Sequence, residues 1–283
     1  MDRFSTSLLG EAKTLLLATD GSPFSDGAIQ EAMFFGQACQ ATVIVLHVVH
    51  TQVESITAAN FEVRKGREKL TPHFDYIRAM ARDIGVTLEV VVVGSSSPEK
   101  TIVEQARLRG ADVILIGRHG KAGRLSLLVG KMTAKVMEQG FPRVLVAPKD
   151  FIISGNRILV GINNSANSRR AIEEAISLGH TCTTLQQIIM LAVAPSEEEG
   201  ESARALLEEV SLLTEQAAPP VPCEFLLEVG DPVEQILKTA DTRDVDMILI
   251  GNRSKGGMPK VFKGHIADNI IGRSRCSVLV VTA

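Results

Sequence analysis

The chain has no tryptophan and a single tyrosine among 283 residues, which leaves few aromatic platforms for stacking single-stranded bases. Charge does not compensate. Thirty Lys and Arg against 33 Asp and Glu give a formal net charge of −3, so no basic field awaits a nucleic-acid backbone. Nucleic-acid binding is not expected. The four cysteines (Cys39, Cys182, Cys223 and Cys276) are scattered and form no C-x-x-C pair. They read as small buried hydrophobes in a reducing compartment. Long apolar runs are missing too: "VIVLHVV" and "DVILIG" fall far short of the ~20 residues of a membrane helix. The start, "MDRFSTSLLGEAKT", lacks a secretory pattern. A cytoplasmic protein without a membrane partner is expected. Against these absences stand 45% hydrophobic and 22% charged residues, and a length that suits one large domain or two of roughly 140 residues.

The chain is written twice. "TLLLATDGSPFSDGAIQEA" from Thr14 aligns with "RILVGINNSANSRRAIEEA" from Arg157, bringing Ser22 to Ser165, Ser25 to Ser168 and Ala28 to Ala171. "VIVLHVV" around His47 aligns with "IIMLAVA" around Ala192, and "SPEKTIVEQA" from Ser97 with "DPVEQILKTA" from Asp231. "ADVILIGRHGKAG" from Ala111 aligns with "VDMILIGNRSKGG" from Val245, and "RVLVAP" from Arg143 with "SVLVVT" from Ser277. The blocks keep their order, so two homologous domains are expected, residues 1–150 and 151–283, joined near "PKDFIISGN".

Within the first copy, the runs "TLLLAT", "TVIVLHVV", "TLEVVVV", "DVILIG" and "RVLVAP" alternate with segments carrying apolar residues at helical spacing. Continuously apolar strands imply a sheet covered on both faces, hence parallel strands between helices. Right-handed crossovers then predict an α/β fold: a doubly wound five-stranded parallel sheet in each half. "GSP" and "NNSAN" are turn-rich helix starts with Ser or Asn as N-caps. The copies differ most between their second and third strands, where the second has the acidic "PSEEEGESARALLEEVSLLTEQAAPP". Glu197, Glu198 and Glu199 fit a solvated loop leading into a helix better than a metal site, because the helix dipole favours anions at its N-terminus.

In an open parallel sheet, ligands gather beyond the carboxyl ends of the strands at a topological switch point. In the first copy that edge carries Thr19 and Asp20, the end of "LHVV", Gly94 and Gly117. "GRHGKAGRLSLLVGKMT" follows the fourth strand there. Glycines admit phosphate oxygens to backbone N–H groups, and a following helix N-terminus adds partial positive charge. The stretch is no Walker A loop, because Leu125 stands where the first glycine belongs and Met132 where the hydroxyl belongs. Nor is it a G-x-G-x-x-G fingerprint. What remains is Gly117-x2-Gly120-x9-Gly130.

That spacing, together with "ATDGS" after the first strand, resembles the universal stress protein family, and the resemblance runs through both copies. It implies adenine-nucleotide-hydrolase-like domains that dimerise through their last strand, and a stress-response module that binds ATP or another adenine nucleotide in many members but not all. Carried onto this sequence, the resemblance places Thr19 and Asp20 beside the ribose, the phosphates or a bound Mg, the backbone around Val48 against adenine, and Gly117, Gly120 and Gly130 in the phosphate loop, followed by Lys131 and Met132. Lys131 departs from the Ser or Thr of the family pattern. Its ammonium supplies a stronger point charge, or its bulk fills the pocket; both readings stay open. In the second copy Asn163 replaces Asp20, Ser254 replaces Gly120 and His265 replaces Lys131, while Gly251 and Gly264 persist, so a degenerate, supporting half is expected. The two halves are expected to pair as an intramolecular pseudo-dimer through "RVLVAP" and "SVLVVT", covering two sheet edges; homodimerisation of the whole chain stays open.

Other residues weigh less. His47 and His50 fall on opposite faces of a strand, which argues against a shared metal. His119, Arg118, Lys121 and Arg124 sit in or near the glycine loop, where they either add positive potential to a phosphate or simply form a polar loop tip. No spacing suggests a nucleophilic triad. The expected function is a nucleotide-responsive sensor or regulatory module, with a slow Mg-dependent ATPase and a nucleotide-free interaction scaffold as alternatives.

Overall fold

The computed structural model describes residues 9–52, 55–119, 129–151, 153–252 and 266–283. The first half runs β1 (Thr14–Ala18), α1 (Asp26–Ala38), β2 (Thr42–His50), α2 (Ile56–Asp83), β3 (Leu88–Ser95), α3 (Pro98–Leu108), β4 (Val113–Gly117), α4 (Lys131–Glu138) and β5 (Arg143–Ala147). The second repeats the order with β6 (Arg157–Ile162), α5 (Ala166–Thr181), β7 (Gln187–Ala194), α6 (Gly200–Ala217), β8 (Cys223–Val229), α7 (Pro232–Thr242), β9 (Met247–Gly251), α8 (Ile266–Arg273) and β10 (Ser277–Val281). All five apolar runs of the first copy are strands. The acidic segment forms a 3-10 turn over Glu197–Glu199 that leads into α6.

The strands make one ten-stranded sheet in the order β3-β2-β1-β4-β5-β10-β9-β6-β7-β8. Within each half every pairing is parallel; at the middle, β5 and β10 run antiparallel with Leu145 opposite Leu279. The two five-stranded sheets are thus fused by a single antiparallel ladder. Successive strand residues face opposite sides, and both sides are dry. Leu15, Leu17 and Leu145 pack under α1 and α2, in a layer that continues into the second half through Leu279, Ile172 and Val210. Leu16, Val144 and Val146 pack under α3 and α4, in a layer that continues through Val278, Val280, Ile236 and Ile270. Each apolar layer crosses the seam without a break. That double burial explains why these strands read as unbroken β-branched and aliphatic runs.

In each half the chain leaves the central strand in both directions: β1 is followed on one side by β2 and on the other by β4, and β6 likewise by β7 and β9. The switch points therefore lie beyond Ala18 and Ile116 in the first half, and beyond Gly161 and Ile250 in the second.

Candidate functional site

At the first switch point the chain turns sharply after β1. The Thr19 amide extends the ladder by donating to the Leu46 carbonyl at 3.0 Å. The buried Thr19 hydroxyl accepts from the Gly21 amide at 3.1 Å and lies 3.1 Å from His73 Nε2. Asp20 organises the next five residues. Its Oδ1 accepts from the Ser22 amide (2.9 Å), the Ser22 hydroxyl (2.5 Å) and, more distantly, the Ser25 hydroxyl (3.4 Å). These serines do not cap α1 as expected: a 3-10 turn over Pro23–Ser25 precedes the helix, and neither Ser22 nor Ser25 makes a side-chain cap bond. Their hydroxyls go to Asp20 instead. The second half keeps the expected cap, with Ser165 Oγ accepting from the Ser168 amide at 3.1 Å.

The loop after β4 is drawn against this turn. A Cβ on Gly117 would lie 2.5 Å from the Phe24 carbonyl oxygen, and one on Gly130 would lie 2.9 Å from the Arg118 carbonyl oxygen. Both glycines are thus required by close passage of the protein's own backbone, a reason the motif does not disclose. The Gly130 amide donates to the Arg118 carbonyl at 2.9 Å. Thr133, two residues past Lys131, donates its buried hydroxyl to the Gly117 carbonyl at 2.9 Å. These two bonds tie the start of α4 to the end of β4. α4 spans eight residues, and its N-cap, Gly130, has no side chain with which to cap it. Its first-turn amides have no partner within the helix and carry the positive end of its dipole, with the exposed Lys131 and Met132 beside them. Val48 lies half-buried on β2, paired with Val93 of β3. Gly120, Lys121 and Arg124 lie outside the described residues.

The arginine and histidines around the loop and the strand ends take separate roles. Arg118 is not aimed at a loop-bound anion. Its guanidinium crosses the seam and donates to the Ser274 carbonyl (2.6 Å) and the Ile271 carbonyl (3.3 Å) at the C-terminal end of α8, where the helix dipole favours a cation. Burial pulls its pKa down. His47 is a strand-end anchor with Nδ1 2.9 Å from the Thr19 carbonyl, and His50 is exposed. His73 escaped sequence reasoning because it sits in a long amphipathic helix with no motif around it; only folding brings α2 over Thr19. His119 stacks edge-on with Phe24 at 6.5 Å between ring centroids.

The second switch point is built differently. The Asn163 side chain accepts from the Ser165 amide (2.9 Å), and the Asn163 amide donates to Ser168 Oγ (2.9 Å). Asn167, the repeat equivalent of Phe24, donates to the Asn252 carbonyl (2.6 Å) and accepts from the Ala283 amide (2.7 Å). Asn252 in turn donates to the Thr282 hydroxyl at 3.1 Å. Side-chain amides here bind backbone across the strand ends. Ser254, Gly264 and His265 lie outside the described residues.

Among the described residues no three His, Cys, Asp or Glu side chains gather in a way that could hold a metal, and no helix is long and apolar enough to cross a membrane. None of the four cysteines forms a disulfide. Only Cys276 is fully buried, so the expected burial fails for Cys39, Cys182 and Cys223, which lie half-exposed in the outer shell. Desolvation raises the thiol pKa of Cys39 and Cys223, and pushes that of Cys276 up to about 12. These three are poor nucleophiles.

The architecture is that of a tandem α/β protein whose two halves repeat one order of strands and helices. A profile of the universal stress protein family matches residues 11–148 and again 155–282, and the chain belongs to that family as a tandem member. A universal stress protein of Mycolicibacterium smegmatis is 23% identical over 94% of this chain and 96% of its own length. A Synechocystis universal stress protein, 96% of which is matched, is 26% identical and covers 44% of this chain. In fold, the chain is similar to the crystal structure of a universal stress protein from Archaeoglobus fulgidus, with a TM-score of 0.75, 21% identity, and coverage of 95% of this chain and 98% of that one.

Proposed function

We propose that the first half binds one adenine nucleotide at the β1/β4 switch point, and that occupancy makes the chain a regulatory module in a stress response. The observation that carries this reading is the start of α4: a glycine N-cap, which has no side chain of its own, and Lys131 in the first turn, anchored to the end of β4 by Thr133 and Gly130. Backbone amides at a helix N-terminus with an adjoining ammonium are a donor set suited to phosphate. On this reading Asp20 serves the ribose or a phosphate-bound Mg, and the β2 backbone near Val48 meets the base. In the second half Asn163 removes the carboxylate, and the Asn167–Asn252 bond ties the strand ends together; this half is read as a support. The antiparallel β5–β10 ladder is read as the intramolecular counterpart of a two-subunit family dimer.

Native mass spectrometry of the full chain with ATP, ADP or cyclic AMP tests the proposal. One nucleotide per chain is expected, weakened by Asp20→Ala and by Lys131→Ala. Saturation at 100 times Kd is expected to add about 2.7 kcal/mol of stability. No mass shift and no rise in melting temperature with any of the three would sink the reading and leave the interaction scaffold. ATP turnover lost in a folded Asp20→Ala variant would favour the slow ATPase.

A further inference from the structure

The repeat sets Glu31 of α1 beside Glu174 of α5, and Arg143 of β5 beside Ser277 of β10. The fold uses these four positions in crossed pairs over the seam, and the two pairs are not alike. Glu174 is fully buried and meets the Arg143 guanidinium, with Nε 2.5 Å from Oε1. Arg143 also donates to the Asp112 carbonyl at 3.2 Å. Glu31 is equally buried, but the position that should supply its arginine is Ser277, whose hydroxyl lies 2.6 Å from Oε1. Among the described residues the other oxygen of Glu31, Oε2, has no hydrogen-bond partner. Among the described residues no Lys, Arg or His comes within ion-pair distance of Glu31.

We propose that Glu31 is a proton-binding site: it crosses the seam as a neutral carboxylic acid at neutral pH, and loss of its proton loosens the packing of α1 on β10. An isolated carboxylate without a counter-ion is costly to bury. A carboxylic acid is not, because Oε1–H then donates to Ser277 Oγ and Oε2 becomes an uncharged acceptor, the kind of buried group most often tolerated without a partner. Among the described residues, the ionisable groups that interact electrostatically with Glu31 bring no cation: beside the Ser277 hydroxyl they are the Cys276 thiol and the Asp246 carboxylate, and Asp246 is itself bound by the amides of Ser154, Asn156 and Arg157. Burial, reinforced by the negative charge of Asp246 and opposed by the Ser277 hydrogen bond, raises the Glu31 carboxyl from 4.5 to about 8. Between those values the folded chain holds a proton that the unfolded chain has released. The stability tied to it is therefore complete below about pH 4.5 and is lost progressively as pH rises through about 8. The inference does not depend on nucleotide binding.

Three measurements on the full chain test it. In a carbon-13 NMR titration of glutamate carboxyls, the Glu31 signal is expected to titrate near pH 8; a midpoint in the ordinary carboxylate range overturns the proposal. Urea unfolding of wild type and Glu31→Gln from pH 5.5 to 7.5 should diverge, the wild-type unfolding constant rising by up to about tenfold per pH unit relative to the variant. Parallel curves overturn it. If the variant does not fold, the titration of the wild type still decides. Amide exchange above pH 8 should show weaker protection of β5 and β10 in wild type than in Glu31→Gln at the same pH, and equal protection contradicts the loosening.

Discussion

Arg143 and Glu174 lie 2% and 0% exposed in the middle of the molecule, and the pair shows how a single position acquires its meaning. In "RVLVAP" Arg143 reads as the polar residue that opens a strand, and Glu174 in "AIEEAIS" reads as one of two glutamates on a helix. They are 31 residues apart, and no spacing rule joins them. Folding places the guanidinium beneath α5, where it neutralises a carboxylate cut off from water. Arg143→Met should leave the buried Glu174 with only the more distant, part-exposed Arg170, 3.7 Å away, and lower stability in urea unfolding by up to about 3–5 kcal/mol. The double variant Arg143→Met/Glu174→Leu should regain most of that loss, since an apolar pair needs no compensation. Thr133 and His73 are similar cases, one clamping Gly117 and the other meeting Thr19, and neither belongs to a recognisable motif.

Elements were far more legible. The strands of both halves follow from unbroken apolar runs, and the Ser165 cap follows from its position before "ANSRRAIEEA". The first helix of the repeat shows where element-level reasoning stops. Gly27 of α1 aligns with Arg170 of α5, so the repeat suggests a tolerant surface position. In the fold, a Cβ on Gly27 would lie 1.8 Å from the Pro148 carbonyl oxygen, because α1 crosses directly against the chain leaving β5. Gly27→Ala should gain helix propensity yet lose about 1–3 kcal/mol overall through forced displacement of backbone, measurable as a lower melting temperature. α2 makes the same point. Pro72 would locally favour a helix end, but the helix runs from Ile56 to Asp83 with Pro72 inside it, held by burial of Leu70, Phe74 and Ile77.

At the scale of the whole molecule, the β5–β10 ladder merges two sheets and two apolar layers into one body. Leu145 and Leu279 face each other across it, both fully buried. Leu279→Ala should cost about 2–5 kcal/mol. Because both layers are continuous across the ladder, the loss should appear as a joint shift of both halves in urea unfolding monitored by amide exchange. Selective destabilisation of the second half alone would contradict that continuity. Arg118 adds a polar tie in the same place, linking the loop of the first-half site to the end of α8.

The sequence by itself determined the duplication, the alternation of strands and helices, the burial of the sheet on both faces, and the clustering of Asp20, Gly117 and Gly130 at the strand ends. These follow from local periodicity and from the rule that parallel strands present their carboxyl ends together. The tertiary structure alone decided why the glycines are needed, where Arg118 points, and how two formally equivalent seams became an ion pair on one side and a lone carboxyl on the other. Glu31 and Ser277 are 246 residues apart. Their chemistry is set by exclusion of water and by the absence of a counter-charge, properties of the packed whole that no local pattern of residues encodes.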